Sequence, residues 1–392
     1  MKNFLSMAAL ALMGAMMTGC SSDDNFDNPQ QPENKSKVVT LTTTVGFDAS
    51  AGTRALTSAG VKTFAVGDQI AVIYTKTGGT VTKAVSTALV TGDIASGSKS
   101  ATFTVTLDDP DKTKQVTYIY PAAMAGSTDV DYTKLNSQDG TLASLQTKYD
   151  LCTKSGAWDS DNLPSLTLEN KLAILAINLK NSTDITSTIT GMTIKVGSTT
   201  YTVSRSAAAG PIYVAIRPTT GATINVTATD GTNDYVKVLA SKTYAADNGY
   251  PVTWNMSKLT KVTWNSSNIS NLNVSGTSTS YTKEGITLRA NANMIDAEWE
   301  NNGDESGIKF DPNASGGFTF TAPTGKKFTK IEMTPNGIMG WDVVSLGTGW
   351  ACVGDFMNCK VTWTGNADSV GLLTDVAHFT GTNVKSIVFT VY

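Results

Sequence analysis

Histidine is all but missing from this chain: one, His378, stands among 392 residues. It has no carboxylate beside it and no second ligand at metal spacing, so histidine-based triads and histidine-rich metal sites are hard to build. Charge is scarce as well. Charged residues are 16% of the chain, against roughly 25% in an average soluble protein. The net charge is −3 and no basic cluster appears, which leaves nucleic acid no electrostatic footprint to meet. No glycine-rich phosphate loop of the usual form occurs. Asp296, Glu298 and Glu300 alternate along one segment, but three like charges on one strand face mark a solvated edge or a weak Ca²⁺ site. Nothing selects two of them as the acid and base of a glycoside hydrolase. These absences point to a non-enzyme with no cofactor and no metal.

What replaces charge is Thr, Ser, Asn and Gly. Thr suits a pleated surface, and Gly and Asn suit tight turns, so the composition reads as all-β. Period-two alternation recurs along the chain, and no segment carries a helical stripe over three turns. Phe103, Val105 and Leu107 share one face of a strand, with Thr102, Thr104 and Thr106 on the other. The strand Val116–Tyr120 stops at Pro121, which has no ladder donor. Leu172–Leu179 is more continuously apolar, as a central strand buried on both faces should be. Val-Thr-Trp recurs at 252–254, 262–264 and 361–363, each time placing Val and Trp on one face. Short strands at this spacing indicate tandem sandwiches rather than a parallel α/β sheet. Boundaries are expected near Pro164 and Leu259, with the polar stretch Gly126–Pro164 as a surface excursion between two sandwiches.

The N-terminus has its own signature. Lys2 is followed by an apolar run from Phe4 to Met17 that is short for a bilayer span and fits a cleaved signal. It ends in Met17-Thr18-Gly19-Cys20, which resembles the lipobox of bacterial lipoproteins. That resemblance makes residues 1–19 a signal peptide and Cys20 the acylated first residue. Residues 20–37 are polar, with Pro29 and Pro32, and are expected to be a disordered lipid tether. Ser22-Asp23-Asp24 after the lipid resembles a signal for the outer face of the outer membrane.

Further along come Thr53-Arg54-Ala55, Phe64–Val72 with Gly67-Asp68 at a turn, Tyr118-Ile-Tyr-Pro121, Leu168–Ile174, Ile212–Ile216 and Lys242–Tyr250. In this order behind a lipobox, residues 38–259 resemble a fimbrillin of the Mfa-like type, the pilins of type V pili. The resemblance implies two tandem β-sandwich pilin domains, 38–164 and 165–260. It also implies export as a lipoprotein and cutting after an arginine, here Arg54, so that the mature chain begins at Ala55. The strand lost would be residues 37–47, in which Val39, Leu41, Thr43, Val45 and Phe47 alternate. The groove left behind takes a strand from another pilin subunit by β-strand addition. The uncut alternative, with Arg54 an ordinary surface residue, stays open, as does an anchor role that keeps the lipid.

Residues 261–392 exceed a two-domain pilin and read as a third sandwich or jelly roll. They hold five of the seven tryptophans. Trp341 and Trp350 flank a glycine-rich, loop-like segment near Asp342 and Asp355. Aromatics and carboxylates so placed either stack on a sugar and accept from its hydroxyls or, for the rings, fill a core; Trp363 is expected in the core. Cys352 and Cys359 could bond across a hairpin turned at Gly354-Asp355, which the Cα separation decides. With Cys20 acylated, one of the three remaining cysteines stays unpaired. Asp368-Ser369-Val370 resembles a short bacterial O-glycosylation acceptor. A third domain suits a pilus tip or accessory subunit with an adhesive end, its receptor a host or microbial glycan or protein. The alternative is a non-polymerising glycan-binding lipoprotein.

Overall fold

The computed structural model describes residues 37–47, 62–291, 296–300, 307–311, 316–336, 347–353, 360–374 and 383–392. The signal peptide, Cys20, Arg54, Ala55, Trp341, Asp342, Asp355, Cys359 and His378 lie outside them.

The first eight strands are β1 (Val38–Phe47), β2 (Ala71–Thr75), β3 (Val81–Val85), β4 (Ser100–Asp108), β5 (Val116–Tyr120), β6 (Ser137–Gln138), β7 (Cys152–Gly156) and β8 (Leu166–Asn170). All but β6 form one sheet, ordered β3-β2-β5-β7-β8-β1-β4. Its two edges approach each other: Thr87 N–H donates to Thr104 O at 2.9 Å, which curls the sheet around its own core. The Thr/apolar alternation decides which face goes in. Ala101, Phe103, Val105 and Leu107 of β4 are buried while Thr102 and Thr106 stay exposed. The corner before β2 uses Gly67 at φ +92°, a conformation open to glycine, and Ile70 and Val72 then point into the core.

The stretch 126–164 is not the surface excursion its polarity suggested. Leu135, Leu145 and Leu151 are buried, and β7 lies within the first sheet. Single leucines at irregular spacing anchor this strap, a pattern that no fixed period detects. Strand β8 also joins the first sheet, lying past the boundary expected at Pro164.

The next strands are β9 (Ala173–Asn181), β10 (Thr183–Asp184), β11 (Gly191–Val196), β12 (Thr199–Ser204), β13 (Ile212–Ile216), β14 (Thr219–Thr229), β15 (Asp234–Tyr244), β16 (Asn248–Asn255) and β17 (Ser257–Lys258). One sheet centres on β9, antiparallel to β13 and β10 and parallel to β16. Facing it is the sheet β17-β15-β14-β11-β12-β6. Residues 172–177 are all buried, as expected of a central strand. Their cluster also takes in Ala71, Ile73 and Ile119 from the outer face of the first sheet, so the two sandwiches share apolar contacts. Gln138 of β6 fastens the strap, its side chain bonding Leu135 O, Ala215 O and Ala215 N–H at 2.8–2.9 Å.

The chain changes sheets at Leu259. Beyond it come β18 (Thr260–Asn265), β19 (Asn273–Ser275), β20 (Ser280–Lys283), β21 (Ile286–Ala290), β22 (Asp296–Glu300), β23 (Gly307–Asp311), β24 (Gly316–Thr321), β25 (Phe328–Asn336), β26 (Trp350–Val353), β27 (Lys360–Ala367), β28 (Ser369–Thr374) and β29 (Asn383–Val391). One sheet runs β19-β22-β23-β29-β25-β27-β26 with β18 also on β29, and the other runs β20-β21-β24-β28. The core between them is aromatic: Trp264, Phe310, Phe318, Phe320, Phe328 and Phe389 are fully buried. The Val-Thr-Trp repeats behave as read, with Trp254, Trp264 and Trp363 buried and Val262 and Val361 on the same faces. The whole described chain is all-β apart from single short turns of helix.

Candidate functional site: the first strand and its groove

Strand β1 lies inside the first sheet. It pairs antiparallel with β4 over nine positions, Val38↔Asp108 to Gly46↔Ser100. On its other side it pairs parallel with β8 over three, Val45↔Leu166 to Phe47↔Leu168. Exposure along its inward face falls to a minimum near the centre: Val39 and Leu41 are half-buried, Thr43 is 4% exposed, Val45 is fully buried and Phe47 is half-buried. The strand is therefore held mainly by its Thr43–Phe47 half. Fully burying a Val side chain contributes roughly 1.5–3 kcal/mol, which Val45 supplies, and the half-buried Phe47 adds part of a similar amount.

Three oxygens meet beneath the strand's centre. Thr43 Oγ1 donates to Pro164 O at 2.8 Å, and the Tyr118 hydroxyl, 2.9 Å from the same carbonyl, lies 3.2 Å from Thr43 Oγ1. Pro164 is buried, as is Tyr118. Burial pushes the Tyr118 phenol up to about 12, partly countered by Thr43.

An aromatic cluster closes the far end. The Phe47 ring stacks on Phe64 at 4.2 Å and meets the edge of Tyr120 at 5.4 Å. The Lys62 ammonium lies 5.2 Å from the Phe47 centroid and 4.5 Å from that of Tyr120, within cation–π range. Its side chain is only 11% exposed and is held by Asp150, through the carboxylate at 3.3 Å and the backbone oxygen, and by Cys152 Sγ at 3.3 Å. Tyr120 donates to Asp68 Oδ2 at 2.7 Å, and burial followed by the charge of Asp68 pushes its phenol well up.

The other sequence candidates fall elsewhere. Trp350 is not a loop aromatic: it sits in β26, 6% exposed, opposite Trp363, and its indole N–H donates to Gly371 O at 2.7 Å. The tight Gly347–Gly349 turn before it delivers the ring into the core, so the ring face needed for sugar stacking is covered. Cys352 lies opposite Val361 and is disulfide-bonded. Cys152 keeps a reduced thiol and is buried. Glu298 is exposed on β22, and no group of three or more metal-ligating side chains occurs among the described residues. Ser369 opens β28 and is exposed. No described helix is long and apolar enough to cross a membrane.

Sequence reading located β1 and Tyr118 but missed the shared carbonyl of Pro164 and the Lys62 cluster. A carbonyl has no sequence signature, and Lys62 stands in no periodic run.

No family model matches the sequence, and no curated protein matches it. Among solved structures the chain is similar to a candidate cell adhesion protein from Bacteroides fragilis, at 10% identity and a TM-score of 0.31, covering 50% of this chain and 85% of that one. A fimbrial assembly protein from Parabacteroides distasonis is 9% identical with a TM-score of 0.31, covering 57% and 94%. A candidate cell adhesion protein from Bacteroides ovatus is 12% identical with a TM-score of 0.32, covering 57% and 95%.

Proposed function

We propose that this chain is a surface-exposed, fimbrillin-like pilus subunit whose first strand is a removable occupant of a strand-accepting groove. The observation that carries the reading is the position of β1: it fills a slot between β4 and β8, bridging the last strand of the sheet to the rest. Release of β1 would open a row of unpaired β4 groups over Phe103, Val105 and Leu107, which is the surface that β-strand addition uses. Arg54, in the connection that follows β1, is where a cut would free it. Cys20, upstream of the strand, would leave with its lipid, so the anchor in the outer membrane is a temporary one.

The arrangement also favours a subunit that receives a strand without giving one. Strand β29 is paired on both sides, with β18 and β23 along one edge and β25 along the other, and Val384, Ile387 and Phe389 are buried. It is committed to its own sheet. A separate aromatic core from Thr260 onward supplies a self-contained module for the adhesive end, which suits a tip or accessory position. The chemistry expected of it is binding rather than catalysis.

The test is the N-terminus of protein recovered from the cell surface. A chain beginning at Ala55 supports the reading; one beginning only at acylated Cys20 overturns the processing step. A glycan array with the full chain then separates adhesion from plain structural support, binding at the module from Thr260 being the expected result.

A further inference from the structure

We infer that the groove selects its incoming strand by two features four residues apart: a hydroxyl at the place of Thr43 and an aromatic ring at the place of Phe47. This rests on the strand-exchange reading above and specifies the partner that the reading leaves open.

The hydroxyl requirement comes from the groove floor. When β1 leaves, Tyr118 retains Pro164 O, but the second lone pair of that carbonyl loses the Thr43 donor at 2.8 Å. The carbonyl faces a site where the natural occupant is 4% exposed, so water would be shut out once a strand covers it. A Val or Leu there would bury the acceptor half-satisfied, whereas Thr or Ser restores the bond. The same oxygens fix the register. A slip by two residues keeps the inward face inward but sets an apolar side chain, the equivalent of Leu41 or Val45, on Tyr118 and Pro164.

The ring requirement comes from the other end. Apart from Phe47 itself, the contacts that position these residues lie outside β1: Lys62 is held by Asp150 and Cys152, Tyr120 by Asp68, and Phe64 meets the edges of Phe103 and Tyr120 at 5.3 Å. The pocket is thus built before a strand arrives, with an ammonium and two rings bordering the space that Phe47 fills. A ring can stack on Phe64 and present its face to the cation; an aliphatic side chain can only fill volume. The two features lie on one strand face about 13 Å apart at the usual rise, with a small β-branched position, that of Val45, between them. The occupant is therefore a strand of a second polypeptide reading Thr/Ser, any, Val-like, any, aromatic.

The experiment uses the full chain with a specific protease site placed within residues 48–61. After cutting, it is incubated with a fluorescent peptide copying residues 37–47, and exchange is followed by polarisation. The parent peptide should enter. A Thr43→Val copy should bind about fivefold more weakly, a Phe47→Leu copy about threefold or more, and a Phe47→Ala copy on the order of a hundredfold. In the chain, Lys62→Met should narrow the gap between the Phe and Leu peptides while leaving the Thr preference intact, and Lys62→Arg should keep both. If no peptide enters, including the parent copy, the strand-exchange reading fails. If all enter with equal affinity, exchange stands and the two-point selectivity is overturned.

Discussion

The three oxygens under β1 make a prediction about non-additivity in the uncut chain. Thr43→Val is nearly isosteric and removes one donor from Pro164 O, which keeps its bond from Tyr118. Tyr118→Phe removes the other and leaves Thr43 in place. Each change alone therefore loses one hydrogen bond without orphaning the carbonyl, at about 1 kcal/mol apiece. Both together leave a buried C=O with neither donor, which adds a desolvation cost of about 1–3 kcal/mol. The double variant should thus exceed the sum of the singles by about 1–2 kcal/mol. Amide hydrogen exchange of the peptide covering residues 38–47, measured by mass spectrometry on the intact chain, reads the opening of this ladder directly. Each single variant should exchange about fivefold faster, and the double several hundredfold faster rather than the product of about 25. A double variant that matches or falls below that product would show that water reaches Pro164 O, and the argument for a dry, hydroxyl-selective floor would fall with it.

Other outcomes follow from the same geometry. Raising the pH should loosen the β1 ladder. The folded-state pKa of Tyr118 is pushed up to about 12 from an ordinary 10, so its contribution, on the order of 2–3 kcal/mol, is intact below pH 10 and is lost as pH climbs towards 12. Tyr118→Phe should flatten that loss in an exchange-versus-pH series, with Tyr120, also raised, setting what remains; an unchanged profile would refute the assignment. Val45→Asp should release β1, whereas Val38→Asp, at a position 60% exposed, should leave ladder protection within about twofold. Cys152 should resist alkylation in the native chain and react only on denaturation, which intact mass reports. Reducing the Cys352 disulfide should not change protection at residues 38–47, because that bond lies on the sheet of a separate core. Trp264→Phe should cost less than Trp350→Phe would by area alone: Trp264 Nε1 is buried without a hydrogen-bond partner among the described residues, while Trp350 Nε1 would give up its bond to Gly371. Thermal unfolding of the two variants distinguishes them.

Alternation made most of the fold legible, because a half-buried strand must sort its side chains by side. That is why β1, β4 and β5 and the Val-Thr-Trp strands fall where the pattern puts them, and why residues 173–177, apolar without alternation, lie in a central strand. The strap from Gly126 to Pro164 escaped, since Leu135, Leu145 and Leu151 anchor it one at a time among polar neighbours. Trp350 stayed open between sugar-stacking loop and core for a related reason: glycines around a tryptophan describe a turn equally well whether it delivers the ring outward or into the core. Within the site, the alternating strand announced itself, but what it rests on did not. Pro164 contributes a backbone oxygen, and Lys62 acts through partners eighty or more positions away in the chain.

The central place of β29 has a consequence for timing. In its sheet Thr260 lies opposite Val391 and Phe328 opposite the same residue, so β29 is made after every strand it pairs with, and those earlier strands must assemble around it. A chain synthesised and delivered from its N-terminus can close the first two sandwiches as it emerges, but β18, β23 and β25 must wait with open edges until β29 arrives. Folding of the third module therefore waits for residues 383–391. A molecule cut short before Asn383 would carry two finished sandwiches and an unfinished sheet, its exposed edges marking it for proteolysis or aggregation before it could take a place in any assembly.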